Sequence, residues 1–297
     1  MTRRVKRALI LAAALMASSC AGVDPAPEPA ATAASGSEEK LLQAGEKALA
    51  DRRYGDAQRY FQRTLEIHRD HSKARLGLAE TYLGAGEFEK AREAFVALSQ
   101  VPEVRLAGLQ GLALVQLRAG ETEKAKQALL AITAQDGSLW RAWNGLAASY
   151  GAEHEWAKAV EAYQQALRTS PEPAVIHNNW GVSLMAQGAY PEAEAQFTRA
   201  LKVKTGLQTA RNNLRLVLAL QGRYAEALSG VDSAELPPTL NNVGYVALLR
   251  GDLATAEAYF IRALEASPAF YAPAAKNLQL LGSMKEIQAS ARSGRSS

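Results

Sequence analysis

Six alanines, Ala57, Ala91, Ala125, Ala159, Ala193 and Ala227, stand 34 residues apart, and a seventh equivalent, Ala256, follows after 29. Spacing this regular binds most of the chain to one repeated unit, which excludes a single closed core. Four residues after each alanine comes a bulkier side chain: Phe61, Phe95, Leu129, Tyr163, Phe197, Val231 and Phe260. Twelve residues before each come Gly45, Ala79, Ala113, Ala147, Gly181 and Gly244, with Arg215 as the exception. Three before stand Tyr54, Phe88, Trp156, Tyr190, Tyr224 and Leu253, with Thr122 in the remaining copy. Gly86, Gly120, Gly188, Gly222 and Gly251 mark a turn between the halves.

Each unit therefore reads as two helices of roughly a dozen residues joined by a Gly-containing turn. A small residue on the first helix and Ala on the second allow close approach, and the bulky residue fills the wedge between units. One pair cannot bury its own faces, so the units must stack in series. Seven units starting near 38, 72, 106, 140, 174, 208 and 237 fill the chain, and 271–284 reads as a closing helix. Residues 285–297 are expected to be disordered. Two places break the pattern. Arg215 occupies a small-residue position, which predicts a locally loose or rotated sixth unit. Its second helix is cut short at "SGVDSAELPP", where Pro237 and Pro238 reset the chain.

This pattern resembles the tetratricopeptide repeat (TPR): a small residue at repeat position 8, Ala at 20, a bulky or aromatic residue at 24, and Pro at 32 in two copies (Pro171 and Pro268). The resemblance implies an all-α α-solenoid of about seven helix pairs plus a capping helix, with protein binding as its business.

The net charge of +4 dissolves on inspection. Arg3, Arg4, Lys6 and Arg7 lie in a first stretch of twenty residues that holds no acid, and without them 30 basic residues face 30 acidic ones. No basic excess remains to bind nucleic acid. The same stretch, with its apolar run Ala8–Met16 and the small residues before Cys20, reads as a signal peptide over 1–19. The run is far shorter than the roughly 20 residues a membrane-spanning helix needs. Cys20 is the one cysteine, so no internal disulfide exists. The arrangement resembles the lipobox of bacterial lipoproteins, which implies lipidation of Cys20, although Ala17 stands where that family usually has Leu. The alternative is an ordinary signal peptide cut near Ser19. Ala21 rather than Asp follows the cysteine, which in such lipoproteins implies the outer membrane, at its periplasmic face. Residues 20–37 are rich in Pro, Ala and Ser and read as a tether reaching roughly 50 Å at about 3.1 Å per residue.

Chemistry is hard to find. The four histidines, His68, His71, His154 and His177, have no Cys or carboxylate cluster that completes a metal site. There is no phosphate loop and no serine-nucleophile motif. The tryptophans fall at or beside core positions. The chain reads as no enzyme, with no cofactor, no metal and no small-molecule substrate.

In TPR arrays the first helices face inward at positions 2, 5, 6, 9, 12 and 13. Here those positions give a candidate peptide-binding groove of Asn178, Asn179, Val182 and Met185, then Asn212, Asn213, Leu216 and Leu220, then Asn241, Asn242, Tyr245 and Leu249. A carboxamide carries both donors and an acceptor, so it can pair with a peptide main chain whatever the side chains. Asn179, Asn213 and Asn242 stand where Asn is common in the family and can simply satisfy local backbone; Asn178, Asn212 and Asn241 are the better ligand candidates. Only Lys73, Arg118 and Arg141 supply inward cations, too few for a carboxylate clamp.

The lipobox, the tether and the closing stretch "NNVGYVALLRGDLATAEAYFIRALEASPAFYAPA", with "ARNNLRLVLALQGRYAEAL" before it, resemble the TadD-type lipoproteins of Tad/Flp pilus assembly. That resemblance implies a pilotin-like scaffold whose partner is a secretin or another pilus component. A TPR lipoprotein regulating cell-wall enzymes or outer-membrane protein assembly, and a soluble periplasmic protein-binding module, are the alternatives.

Overall fold

A computed structural model describes residues 38–267, 269 and 271–293. Cys20 and the tether lie outside the described residues. Those residues fall into two compact units, 38–171 and 172 onward. The first holds α1 (Glu38–Ala50), α2 (Tyr54–Ile67), α3 (Ser72–Ala85), α4 (Phe88–Leu98), α5 (Arg105–Arg118), α6 (Thr122–Gln135), α7 (Trp140–Ala152) and α8 (Trp156–Thr169), with a 3-10 turn Pro102–Val104 before α5. The second holds α9 (Pro173–Gln187), α10 (Tyr190–Val203), α11 (Gln208–Leu220), α12 (Tyr224–Ala227), α13 (Leu236–Arg250), α14 (Leu253–Glu265) and α15 (Ala272–Ser293). The fold is all-α, and each unit is a solenoid of consecutively packed helix pairs.

The bulky residue of each repeat is its core. Phe61, Phe95, Leu129, Tyr163, Phe197 and Phe260 are all at most 1% exposed. Small residues opposite them are a geometric requirement. A Cβ added at Gly45 would lie 2.7 Å from the Phe61 ring of its own pair. One at Gly111 would lie 2.1 Å from the Phe95 ring of the preceding pair. The aromatic thus cements its own pair and the next one together, and the sequence period sets the packing period.

Charges repeat along the stack as well. In the first unit Arg92 pairs with Glu121 at 3.1 Å and Lys126 with Glu153 at 2.5 Å, each reaching from a second helix to the following pair. In the second unit the signs are exchanged: Glu194 pairs with Arg223 at 2.6 Å and Glu257 with Lys285 at 2.7 Å. Exposed pairs of this kind stabilise little.

The sixth pair departs from the rest. Its second helix, α12, is a single turn, so Val231 falls outside any helix and is only half-buried. Arg215 is not loose: it is 8% exposed and folded inward. The room a second helix would fill is taken by its guanidinium and by residues 228–235. Pro237 and Pro238 sit in the first turn of α13, where a missing N–H costs nothing. The expected end of order at 284 is corrected too, because α15 continues to Ser293. The stretch from Lys285 to Arg292 is mostly good helix formers, and the Lys285–Glu257 pair ties its start to α14.

Candidate peptide-binding face

In the second unit the first helices pack side by side, α9 on α11, α11 on α13 and α13 on α15. The asparagines lie along these contacts and hydrogen-bond from one repeat to the next. Asn213 Nδ2 donates to Asn178 Oδ1 at 3.0 Å, and Asn277 Nδ2 donates to Asn241 Oδ1 at 2.8 Å. Asn178 in turn donates to Asn179 Oδ1 at 3.3 Å. Position 5 of one repeat accepts, and position 6 of the next (for Asn213) or one residue later in the closing helix (for Asn277) donates, forming a rung between adjacent first helices. Asn277 escaped the sequence reading, although it follows Asn241 by 36 residues much as Asn213 follows Asn178 by 35.

One rung is missing. Among the described residues no hydrogen bond joins Asn212 to Asn242. Asn212 Oδ1 accepts instead from Gln208 Nε2 at 3.1 Å, which also donates to Glu235 Oε1 at 2.7 Å. The other oxygen of Glu235 accepts from Arg215 at 3.0 Å, and Arg215 also donates to the Gly230 carbonyl at 3.5 Å. Asn242 is exposed. Gln208 and Glu235 escaped the reading of inward positions, since position 1 is not among them and Glu235 lies in the irregular stretch after α12.

The rest of the predicted face divides by burial. Asn178, Asn179, Val182, Asn212, Leu216, Tyr245 and Leu249 keep part of their surface, while Asn213 and Asn241 are 6% and 8% exposed. Met185 and Leu220 are corrections. Both are buried in the core cluster that contains Phe197, where packing rather than a partner uses their surface.

In the second to fourth repeats, position 6 is Gly77, Gly111 or Gly145, which press on the bulky residue before them. No rung can form there. Gln110, at position 5, is 8% exposed and its Oε1 has no hydrogen-bond partner; the residue that would donate to it in the asparagine pattern is Gly145. Arg141 forms an ion pair with Glu80 and stacks on Trp140 at 5.3 Å, so this inward cation is already engaged.

The histidines serve local structure. His71 Nδ1 accepts from the Ala74 amide and caps α3, while its Nε2 meets Glu38 at 3.2 Å. His68 Nδ1 meets the same Glu38 oxygen at 3.2 Å. His177 Nδ1 donates to Gln196 Oε1 at 2.8 Å, and His154 takes a turn conformation with φ of 64°. Among the described residues no group of three His, Cys, Asp or Glu is placed to hold a metal. No helix among them is long and apolar enough to cross a membrane.

Residues 48–110, 111–173, 146–207, 178–239 and 237–270 match family models described as tetratricopeptide repeat. No curated protein matches the sequence. Among solved structures, the human IFIT1 dimer with m7Gppp-AAAA is similar at 15% identity and a TM-score of 0.65, over 86% of this chain and 65% of that one. The APC/C hetero-tetramer Cut9–Hcn1 is similar at 18% identity and a TM-score of 0.61, over 84% of this chain and 50% of that one. A thermophilic TPR protein of Thermus thermophilus is similar at 23% identity and a TM-score of 0.52, over 64% of this chain and 98% of that one. The chain thus spans half the length of the Cut9–Hcn1 chain it matches. At these identities the likeness concerns the fold.

Proposed function

Because the chain belongs to the tetratricopeptide-repeat family and is built as a protein–protein interaction scaffold, we propose that the first helices of its second unit receive an extended segment of a protein partner. The observation that carries this reading is the half-exposed strip of carboxamides and apolar side chains on α9, α11 and α13, running from Asn178 and Val182 to Tyr245 and Leu249. Binding of this kind needs no catalytic group; main-chain hydrogen bonds supply affinity and the apolar neighbours select side chains.

We propose further that Cys20 is lipidated and tethers the scaffold to the periplasmic face of the outer membrane. There it serves as a pilotin-like assembly factor for a Tad/Flp pilus secretin. The support is the signal-peptide pattern, the lone cysteine, the Pro/Ala/Ser tether and the resemblance to TadD-type lipoproteins. Mass spectrometry of the mature N-terminus tests the anchor: the expected species begins at a lipid-modified Cys20, and an unmodified start beyond residue 19 overturns it. Deleting the gene is expected to abolish secretin multimers and pili; their survival overturns the pilotin role.

A further inference from the structure

We infer that the open rung between Asn212 and Asn242 is the seat of a partner's main chain, which completes there the hydrogen bonds that the chain makes for itself on either side. This rests on the reading of the second unit as a peptide-binding face and narrows it to one place. The closed rungs, Asn213 to Asn178 and Asn277 to Asn241, define what a complete contact between neighbouring first helices looks like. Only the middle contact lacks it. The cause is local: α12 ends at Ala227, Arg215 turns into the vacated space, and Glu235 joins Arg215 to Gln208, which holds the Asn212 oxygen.

What is left over has a definite chemistry. The Asn212 amide has no acceptor among the described residues, and Asn242 offers donors and an acceptor to solvent. An amide donor on one side and a full carboxamide on the other match the alternating C=O and N–H of an extended peptide. Leu216 lies one turn after Asn212, while Tyr245 and Leu249 follow Asn242 on the same face of α13. These three side chains are apolar or aromatic, so the segment that fits is an extended one with apolar side chains beside the pairing amide.

A random twelve-residue peptide library displayed on phage and panned on the purified full-length chain supplies a defined probe, whose binding is then measured by fluorescence anisotropy. Asn242→Ala changes an exposed side chain outside the core and is expected to weaken the selected peptide about tenfold. N-methylation of the pairing amide in the peptide, which deletes one main-chain donor, should produce a similar loss. A peptide indifferent to Asn242→Ala but weakened by Val182→Glu overturns the open rung and leaves the binding face standing. A library yielding no peptide sensitive to either substitution overturns both.

Discussion

Arg215 and Glu235 meet at 3.0 Å in a place that the repeat pattern reserves for a small residue and a full second helix. The Arg215 side chain is 10% exposed and that of Glu235 is 36% exposed. The pair therefore combines a buried cation with an anion that reaches water. Removing the anion is the more damaging change, because it strands a desolvated guanidinium. Glu235→Ala is expected to cost about 2 kcal/mol in a denaturant titration. Replacing both residues by leucine should recover most of that loss, and a double variant less stable than the single one would contradict this account.

The closed rungs predict a smaller effect. Asn213→Ala deletes the donor to Asn178 and is expected to lower stability by about 1 kcal/mol. Asn242→Ala, on the open rung, should leave the melting temperature unchanged within error. Equal losses in both variants would show that the two amides do the same work in the free protein.

Gly111 and Gln110 are neighbours on α5 with opposite expectations. Gly111→Ala must displace the Phe95 ring and should destabilise by about 1–3 kcal/mol. Gln110→Leu removes a buried oxygen that has no partner, and is expected to be neutral or stabilising by thermal melting. A large loss from Gln110→Leu would point to a bonding partner for that oxygen.

Acid should loosen the stack. The Lys124 and Arg92 side chains hold the Glu121 carboxyl below its ordinary value, Arg59 does the same for Asp56, and Arg223 for Glu226. For carboxyls lowered in the folded state, the contribution is present above the unfolded values of about 3.9–4.3 and is lost as pH falls through the lowered ones. The melting temperature should therefore hold from neutral pH down to about 5 and decline below about 4. High salt should blunt the decline, because these pairs are exposed.

Much of the fold was legible because packing and sequence share one period. Ala57 and its equivalents, with Phe61 and its equivalents, fix which faces meet. The asparagines were legible as a periodic set, and their register placed them correctly on the first helices. Their hydrogen bonds were not, because a rung joins positions 35 or 36 residues apart and depends on how closely two helices approach. Arg215 was visible as an exception, but its role was hidden, since its partner Glu235 lies in the irregular stretch after α12, where the period carries no information. The end of α15 was missed for another reason: helix-forming but polar residues after 284 show no apolar stripe from which to read a helix.

Among the described residues, the outward side of α15 is mostly polar. Lys276, Gln279, Ser283 and Glu286 are exposed there, and Leu280 is the large apolar side chain among them, 48% exposed. A further helix pair, from this chain or from a second copy, would have to dehydrate two charges and two polar groups to cover one leucine. Among the described residues, that side of α15 is therefore a poor seat for another helix pair.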